Sequence, residues 1–225
     1  MRSLLSRLAR PGVIGGVLFL FGAASLGDAP DTRASTEQIA DYFVVHRNSV
    51  FVAVVLLGAA TVALLWLAAA ERLRAVRGGQ AFSGALAAGG AVVVIAVIEV
   101  GMVLQYATLS YVVGAEAPAS AKAMFELTLL TAPIVSVPLL VLIASVAWTE
   151  LRCHGVTVRF VVSLLAVVVL AATPFSFAEH GAFSPDVQQQ VVFNTLILWL
   201  VIGDIARRPE ASHAAGVAIV DIAKG

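Results

Sequence analysis

The sequence predicts an all-α fold: a polytopic bundle of six transmembrane helices, with a short external interfacial helix between the first and the second. Three observations lead there. Hydrophobic residues make up 60% of the 225-residue chain and charged residues 12%, against about 45–50% and about 25% in soluble domains. Such a chain has too little charge to cover a water-facing surface. Its apolar residues gather in long runs rather than in alternating or helical-period stripes, as membrane spans require. Its basic residues return at every second connection, the bias left by cytoplasmic loops. Together these exclude a water-soluble monomer. Fourteen Lys and Arg balance fourteen Asp and Glu, so no basic surface points to nucleic acid as a partner. The single cysteine, Cys153, excludes an intramolecular disulfide framework.

A bilayer core of about 30 Å takes about 20 mostly apolar helical residues. The spans are expected at 12–27, 49–70, 84–108, 124–148, 157–175 and 187–206. The first is short and follows a basic start, a description that also fits a cleaved secretory signal peptide, which would leave five spans. Retention is preferred because an even number of crossings with a cytoplasmic start fits every later loop. After it, Asp28, Pro30 and Asp31 form a turn-rich stretch, and Ser35 with Gln38 has capping-box spacing, which starts a helix by satisfying its first free amides. Ile39, Tyr42, Phe43 and His46 then recur at three- and four-residue steps, placing an apolar and aromatic edge along the membrane surface. That helix reads as an anchor or brace, or as a gate over an external cavity.

The second span ends at an arginine cluster followed by Gly78 and Gly79, where glycine accepts a left-handed cap. Pro133 and Pro138 interrupt the fourth span by removing backbone donors, and Thr173 with Pro174 does the same near the end of the fifth. Ser184, Pro185 and Asp186 read as cap, first helical residue and dipole-favoured carboxylate of the sixth. The tail beyond Arg208 is Ala-rich and peripheral. No repeat or linker divides the chain, so residues 1–225 form one domain.

Charges set the orientation. Arg2, Arg7, Arg10, Arg72, Arg74, Arg77, Arg152, Arg159, Arg207, Arg208 and Lys224 share one side, eleven of the fourteen basic residues, leaving Arg33, Arg47 and Lys122 on the other. Both termini are therefore expected in the cytoplasm.

Glu99 is the most informative single residue, since it lies inside the apolar run 91–104. An acid near a helix centre costs a few kcal/mol on insertion scales, so it is expected to be protonated, hydrogen-bonded or facing water inside the bundle. Ile95, Met102 and Tyr106 share its face by helical spacing, and Gln105 lies to one side. Glu126, Thr128 and Thr131 on the fourth span, and Asn194 and Thr195 on the sixth, lie at similar outer depth. Glu99, Gln105, Glu126 and Asn194 are thus the candidate ligand-binding or proton-carrying residues of a shared outward pocket. The competing reading makes Glu99 a neutral acid that fixes helix register through Gln105, Asn194 or a backbone carbonyl. Asp204 is expected to pair locally with Arg207 and Arg208.

No catalytic residue, metal or cofactor is assigned. His46 and His180 would share the outer side with Asp41, Glu179 and Asp186 without ligand spacing, no histidine lies in a span to hold a haem, and Cys153–His154 lacks an orienting third group. Phosphate loops, dinucleotide fingerprints and zinc-protease motifs are absent from the sequence. Gly12, Gly15 and Gly16 on the first span, and Gly84, Ala85, Ala88 and Gly89 on the third, let helix backbones approach closely, within the chain or between copies.

The stretch Gly27-Asp28-Ala29-Pro30-Asp31, the set Tyr42, His46 and Arg47, and the Leu73-Arg74 pair with Arg77, Gly78 and Gly79 resemble the pattern of an uncharacterised family of bacterial six-helix membrane proteins, a domain of unknown function. The resemblance implies six helices in a bacterial inner membrane, and no reaction or site. On function, the expectation is a non-enzymatic membrane protein that binds lipid or a small apolar molecule, or packs as an accessory subunit. Membrane lipids, a second copy or other membrane subunits would be its partners. The alternative is a secondary transporter or proton-coupled carrier using Glu99.

Overall fold

The computed structural model describes residues 10–30, 33–113, 118–172 and 185–206. Every regular element among them is helical: α1 (Pro11–Leu26), α2 (Thr36–Val45), α3 (Arg47–Arg77), α4 (Ala81–Val113), α5 (Pro118–His154), α6 (Val158–Ala172) and α7 (Pro185–Ile205). Three of them, α3, α4 and α5, are long and apolar enough to cross a membrane. At 1.5 Å per residue, their 31, 33 and 37 residues reach well beyond a 30 Å core. α1 and α6 are apolar but shorter, with 16 and 15 residues.

The long helices overrun the apolar runs for a plain reason. Backbone hydrogen bonding does not stop where hydropathy does, and Glu71, Arg72, Arg74 and Arg77 extend α3 by two turns before its cap. Gly79, at φ 72°, takes the left-handed position there, while Gly78 fits because Cys153 Sγ would lie 2.5 Å from any Cβ it carried. The prolines in α5 do not interrupt it: the helix runs through Pro133 and Pro138. Close packing accompanies the second of them, since a Cβ on Gly90 would meet Pro138 O at 2.9 Å.

Six helices form a closed ring. α1 packs on α3, α3 on α4, α4 on α5, α5 on α6, α6 on α7, and α7 back on α1, with α5 and α7 also touching directly. One main core fills it, from Phe19 and Leu57 through Leu64, Val94 and Leu139 to Leu196 and Leu200. The outside is as apolar as the inside: Val62, Trp66, Val103, Ile134 and Leu165 are all exposed. Soluble monomers rarely show such continuous apolar walls.

α2 lies outside the ring and carries a second, smaller core. The capping box is present, with Gln38 N donating to Ser35 Oγ at 3.2 Å and Ser35 N to Gln38 Oε1 at 2.8 Å. Ile39, Tyr42 and Phe43 are buried, but against the chain itself, with Val50, Leu109, Phe125 and Leu129. The edge assigned to the membrane surface therefore braces the ends of α4 and α5.

Candidate functional site

Of the four sequence candidates, one lines a small half-open cavity. Gln105, buried at 9% exposure, joins Thr128, Thr131, Gln189, Met102 and Phe193 around a space of about 60 Å³. That volume holds a few waters, since one water needs about 10–15 Å³; ligand pockets start near roughly 300 Å³. The threonines spend their hydroxyls on their own helix, Thr131 on Thr128 O at 2.6 Å and Thr128 on Met124 O at 3.0 Å. The two glutamine side chains therefore supply its free polarity.

The other three candidates do not line this cavity. Glu126 is exposed and forms a one-turn ion pair with Lys122 at 3.8 Å. Asn194 is exposed on α7, beside the cavity-lining Phe193. Glu99 is exposed on the outer wall of the ring. The face expected to carry Ile95, Glu99, Met102 and Tyr106 divides: Met102 turns inward at 6% exposure, while Tyr106 stays exposed at 53%. The boundary between α4's buried and open arcs passes between them. Glu99 meets neither Gln105 nor Asn194. Its partner is Thr61 of α3, whose hydroxyl lies 2.7 Å from Glu99 Oε1 and also 2.7 Å from Gly58 O. A depth count could have found this pair. Thr61 is 14 residues past Arg47, the first residue of α3, and Glu99 is 14 short of Val113, the last of α4.

Sequence reasoning missed a large polar assembly among the described residues, which sits where the arginine-bearing helix ends converge. Arg159 of α6, 2% exposed, donates through Nη2 to Glu71 Oε1 of α3 at 2.7 Å and through Nη1 to Glu150 Oε2 of α5 at 3.4 Å. Arg74 and His154 Nδ1 each approach the same Glu150 oxygen at 3.8 Å. Thr157 bonds Glu150 Oε1 at 3.1 Å while accepting from Phe160 N, so the N-cap of α6 is itself fastened to α5. Charges read only as topology markers are thus buried and paired. The available signal was two carboxylates, Glu71 and Glu150, each immediately beyond an apolar run.

Asp204 belongs to the same end, where it bonds to the start of α1. Its Oδ2 accepts from Gly12 N at 2.8 Å, and its backbone carbonyl accepts from Arg10. A carboxylate at the N-terminus of α1 suits both the free amides and the helix dipole. Arg207 and Arg208 lie outside the described residues, as do Thr173, Pro174, Glu179, His180 and Ser184.

At the opposite end, Tyr42 donates to Leu26 O at 2.5 Å and stacks on His46 with centroids 4.6 Å apart. Burial pushes its phenol up to about 12. Glu37, in the first turn of α2, is held below the usual carboxylate range by the Ser35 hydroxyl. Among the described residues, no three His, Cys, Asp or Glu side chains gather as a group able to hold a metal ion.

Two larger concavities open on the outer wall. One, about 540 Å³, lies between α4 and α5 and is lined by Gln80, Phe82, Ser83, Leu86, Ser145 and Trp148. Arg152 places its guanidinium 5.6 Å from the Trp148 ring centroid at its rim. The other, about 460 Å³, runs between α3 and α4 past Leu65, Ala68, Ala69, Arg72, Ala88 and Val92. The chain matches no protein-family model, no curated protein and no solved structure.

Proposed function

We propose that this chain is a non-enzymatic, six-span membrane protein of the bacterial inner membrane, with both termini cytoplasmic, that binds phospholipid on its outer wall. One observation carries the reading: among the described residues, the cavity beside Gln105 has room for a few waters, about 60 Å³, while the roomier concavities lie on the outer wall and are largely apolar. The α4–α5 groove suits a phospholipid best. Leu86 and Phe82 offer an apolar bed for an acyl chain, and Trp148 with Arg152 offers an aromatic and cationic rim where the phosphate would sit. The six spans are supported by the way α1, α6 and α7 complete the ring with the three long helices. The orientation is supported by Arg74, Arg152 and Arg159 at one end and Lys122 at the other.

The test is native mass spectrometry of the full chain released from vesicles of phosphatidylglycerol and phosphatidylcholine. Wild type should retain phosphatidylglycerol adducts that survive detergent exchange. Trp148→Ala with Arg152→Ala should lose them, while Leu165→Ala on α6 should not. A wild-type chain that emerges free of lipid under these conditions would defeat the reading. The carrier alternative is supported by the mid-helix depth of Glu99 and would show itself as pH-dependent transport abolished in Glu99→Gln.

A further inference from the structure

Among the described residues, the most unusual exposed side chain is Glu99. It stands 18 residues after Ala81 and 14 before Val113, about 27 and 21 Å from the two ends of α4. Around it the wall is apolar, with Val62, Val92 and Val103 all exposed. A carboxyl at this depth that faces hydrocarbon costs a few kcal/mol even when the helix inserts. Thr61 relieves only part of that. Its hydroxyl has one hydrogen and two acceptors at 2.7 Å, Gly58 O and Glu99 Oε1. That one hydrogen is shared between the two acceptors, so Thr61 donates to Glu99 Oε1 only in part. The acid's other oxygen, with the proton a neutral carboxyl carries there, still needs an acceptor and a donor that lipid tails do not offer.

The open face of α4 supplies a geometry for that donor. Ala85, Gly89, Val92, Ala96, Glu99 and Val103 are all exposed, and their spacing alternates four and three. That is the seven-residue repeat of a left-handed helix pair. Ala85, Gly89 and Ala96 keep the seam shallow, and a Cβ on Gly89 would meet nothing within 4 Å. Beside the seam lies the 460 Å³ groove floored by Ala68, Ala69 and Ala88, concave enough to receive the side chains of a second helix.

We propose that this face is the interface of a parallel two-fold dimer of the chain within the membrane, with the Glu99 carboxyls of the two copies hydrogen-bonded to each other. The occupant follows from complementarity. Membrane insertion holds both copies in one orientation, so a two-fold axis along the membrane normal sets each seam position against itself at equal depth. A protonated carboxyl is both donor and acceptor, which makes a second Glu99 its own complement. Gly89 meets Gly89, where the backbones come closest. The proposal uses a different face from the α4–α5 lipid groove and stands without it.

The test is the oligomeric state of the full chain in phosphatidylcholine vesicles, read by single-molecule photobleaching across a range of protein densities. Wild type should pass from one-step to two-step bleaching as density rises. Glu99→Gln, whose carboxamides also pair, should keep dimerising. Glu99→Leu should weaken the dimer about tenfold, the scale of one or two interhelical hydrogen bonds. Gly89→Leu should weaken it at least as much, although within its own chain the new side chain starts from open space. In a Cys153→Ser background, Ala96→Cys should give disulfide-linked dimers under mild oxidant and Leu165→Cys on α6 should not. One-step bleaching of wild type at every density, or equal dimerisation in Glu99→Leu and Gly89→Leu, overturns the proposal.

Discussion

At the scale of single residues, the strongest expectation concerns Arg159. Arg159 is 2% exposed and holds the carboxylates of Glu71 and Glu150, residues that are each 4% exposed. Removing it leaves Glu71 and Glu150 buried with their principal cation gone, a loss of about 3–5 kcal/mol in comparable buried pairs. Arg159→Met should therefore lower the unfolding midpoint steeply. Adding Glu71→Leu to it should recover part of the loss, because the uncompensated charge goes with the carboxylate; a strictly additive double variant would show that the pair is not coupled. Tyr42 gives a second expectation, with a sign. The phenol ionises at about 12 in the fold against an ordinary 10.0, so the fold favours its neutral form. The contribution is fully present below pH about 10 and fades as pH rises from about 10 to about 12. The difference in tyrosinate absorbance between wild type and Tyr42→Phe should have its midpoint near 12. A midpoint near 10 would mean that the phenol is not buried against Leu26 O.

At the scale of elements, α1 owes its place to close approach. A Cβ on Gly12 would lie 2.7 Å from Asp204 Cβ and 2.8 Å from Leu200 O, and one on Gly16 would lie 2.5 Å from Val201 Cγ2. Gly12→Val should push α1 off α7 and break the Gly12–Asp204 bond, costing about 1–3 kcal/mol by overpacking alone. Limited proteolysis should then cut near Arg10, and unchanged protection would argue against this packing. The elements themselves were legible in the sequence. Runs long enough to cross a bilayer, the Ser35–Gln38 box and the Gly78–Gly79 stop are local signals, readable without knowing any neighbour. Their extents were less legible, because Glu71 to Arg77 and Glu150 to His154 end the apolar runs without ending the helices. Which side chains meet was least legible. Glu71 with Arg159, and Glu99 with Thr61, are decided by which helices stand next to or across from each other. The matched depths of Glu99 and Thr61, and the placing of Glu71 and Glu150 just beyond apolar runs, were the hints.

At the scale of the whole molecule, apolar packing by itself does not choose the order of the ring, since every helix shows apolar side chains to all its neighbours and to the outside. Polar contacts mark nearly every seam instead: Gly12 with Asp204 between α1 and α7, Thr61 with Glu99 between α3 and α4, Ser83 with Thr149 between α4 and α5, Thr157 with Glu150 between α5 and α6, and Ser163 with Trp199 between α6 and α7. Inside a membrane such bonds have specific partners and few substitutes. The arginine-bearing ends are tied further by the Arg159 network, whereas the other end is closed by α2 and its small separate core. Those two ends should therefore open at different free energies, since opening follows local burial and bonding. Phe43, 1% exposed and edge-on to Phe125 at 5.9 Å, is the centre of the smaller core. Phe43→Ala should speed hydrogen exchange of the α2 amides, and of α5 around Phe125, while exchange around Leu64 and Leu67 in the main core stays as in wild type. Equal acceleration at both places would show that the brace and the ring form one cooperative unit.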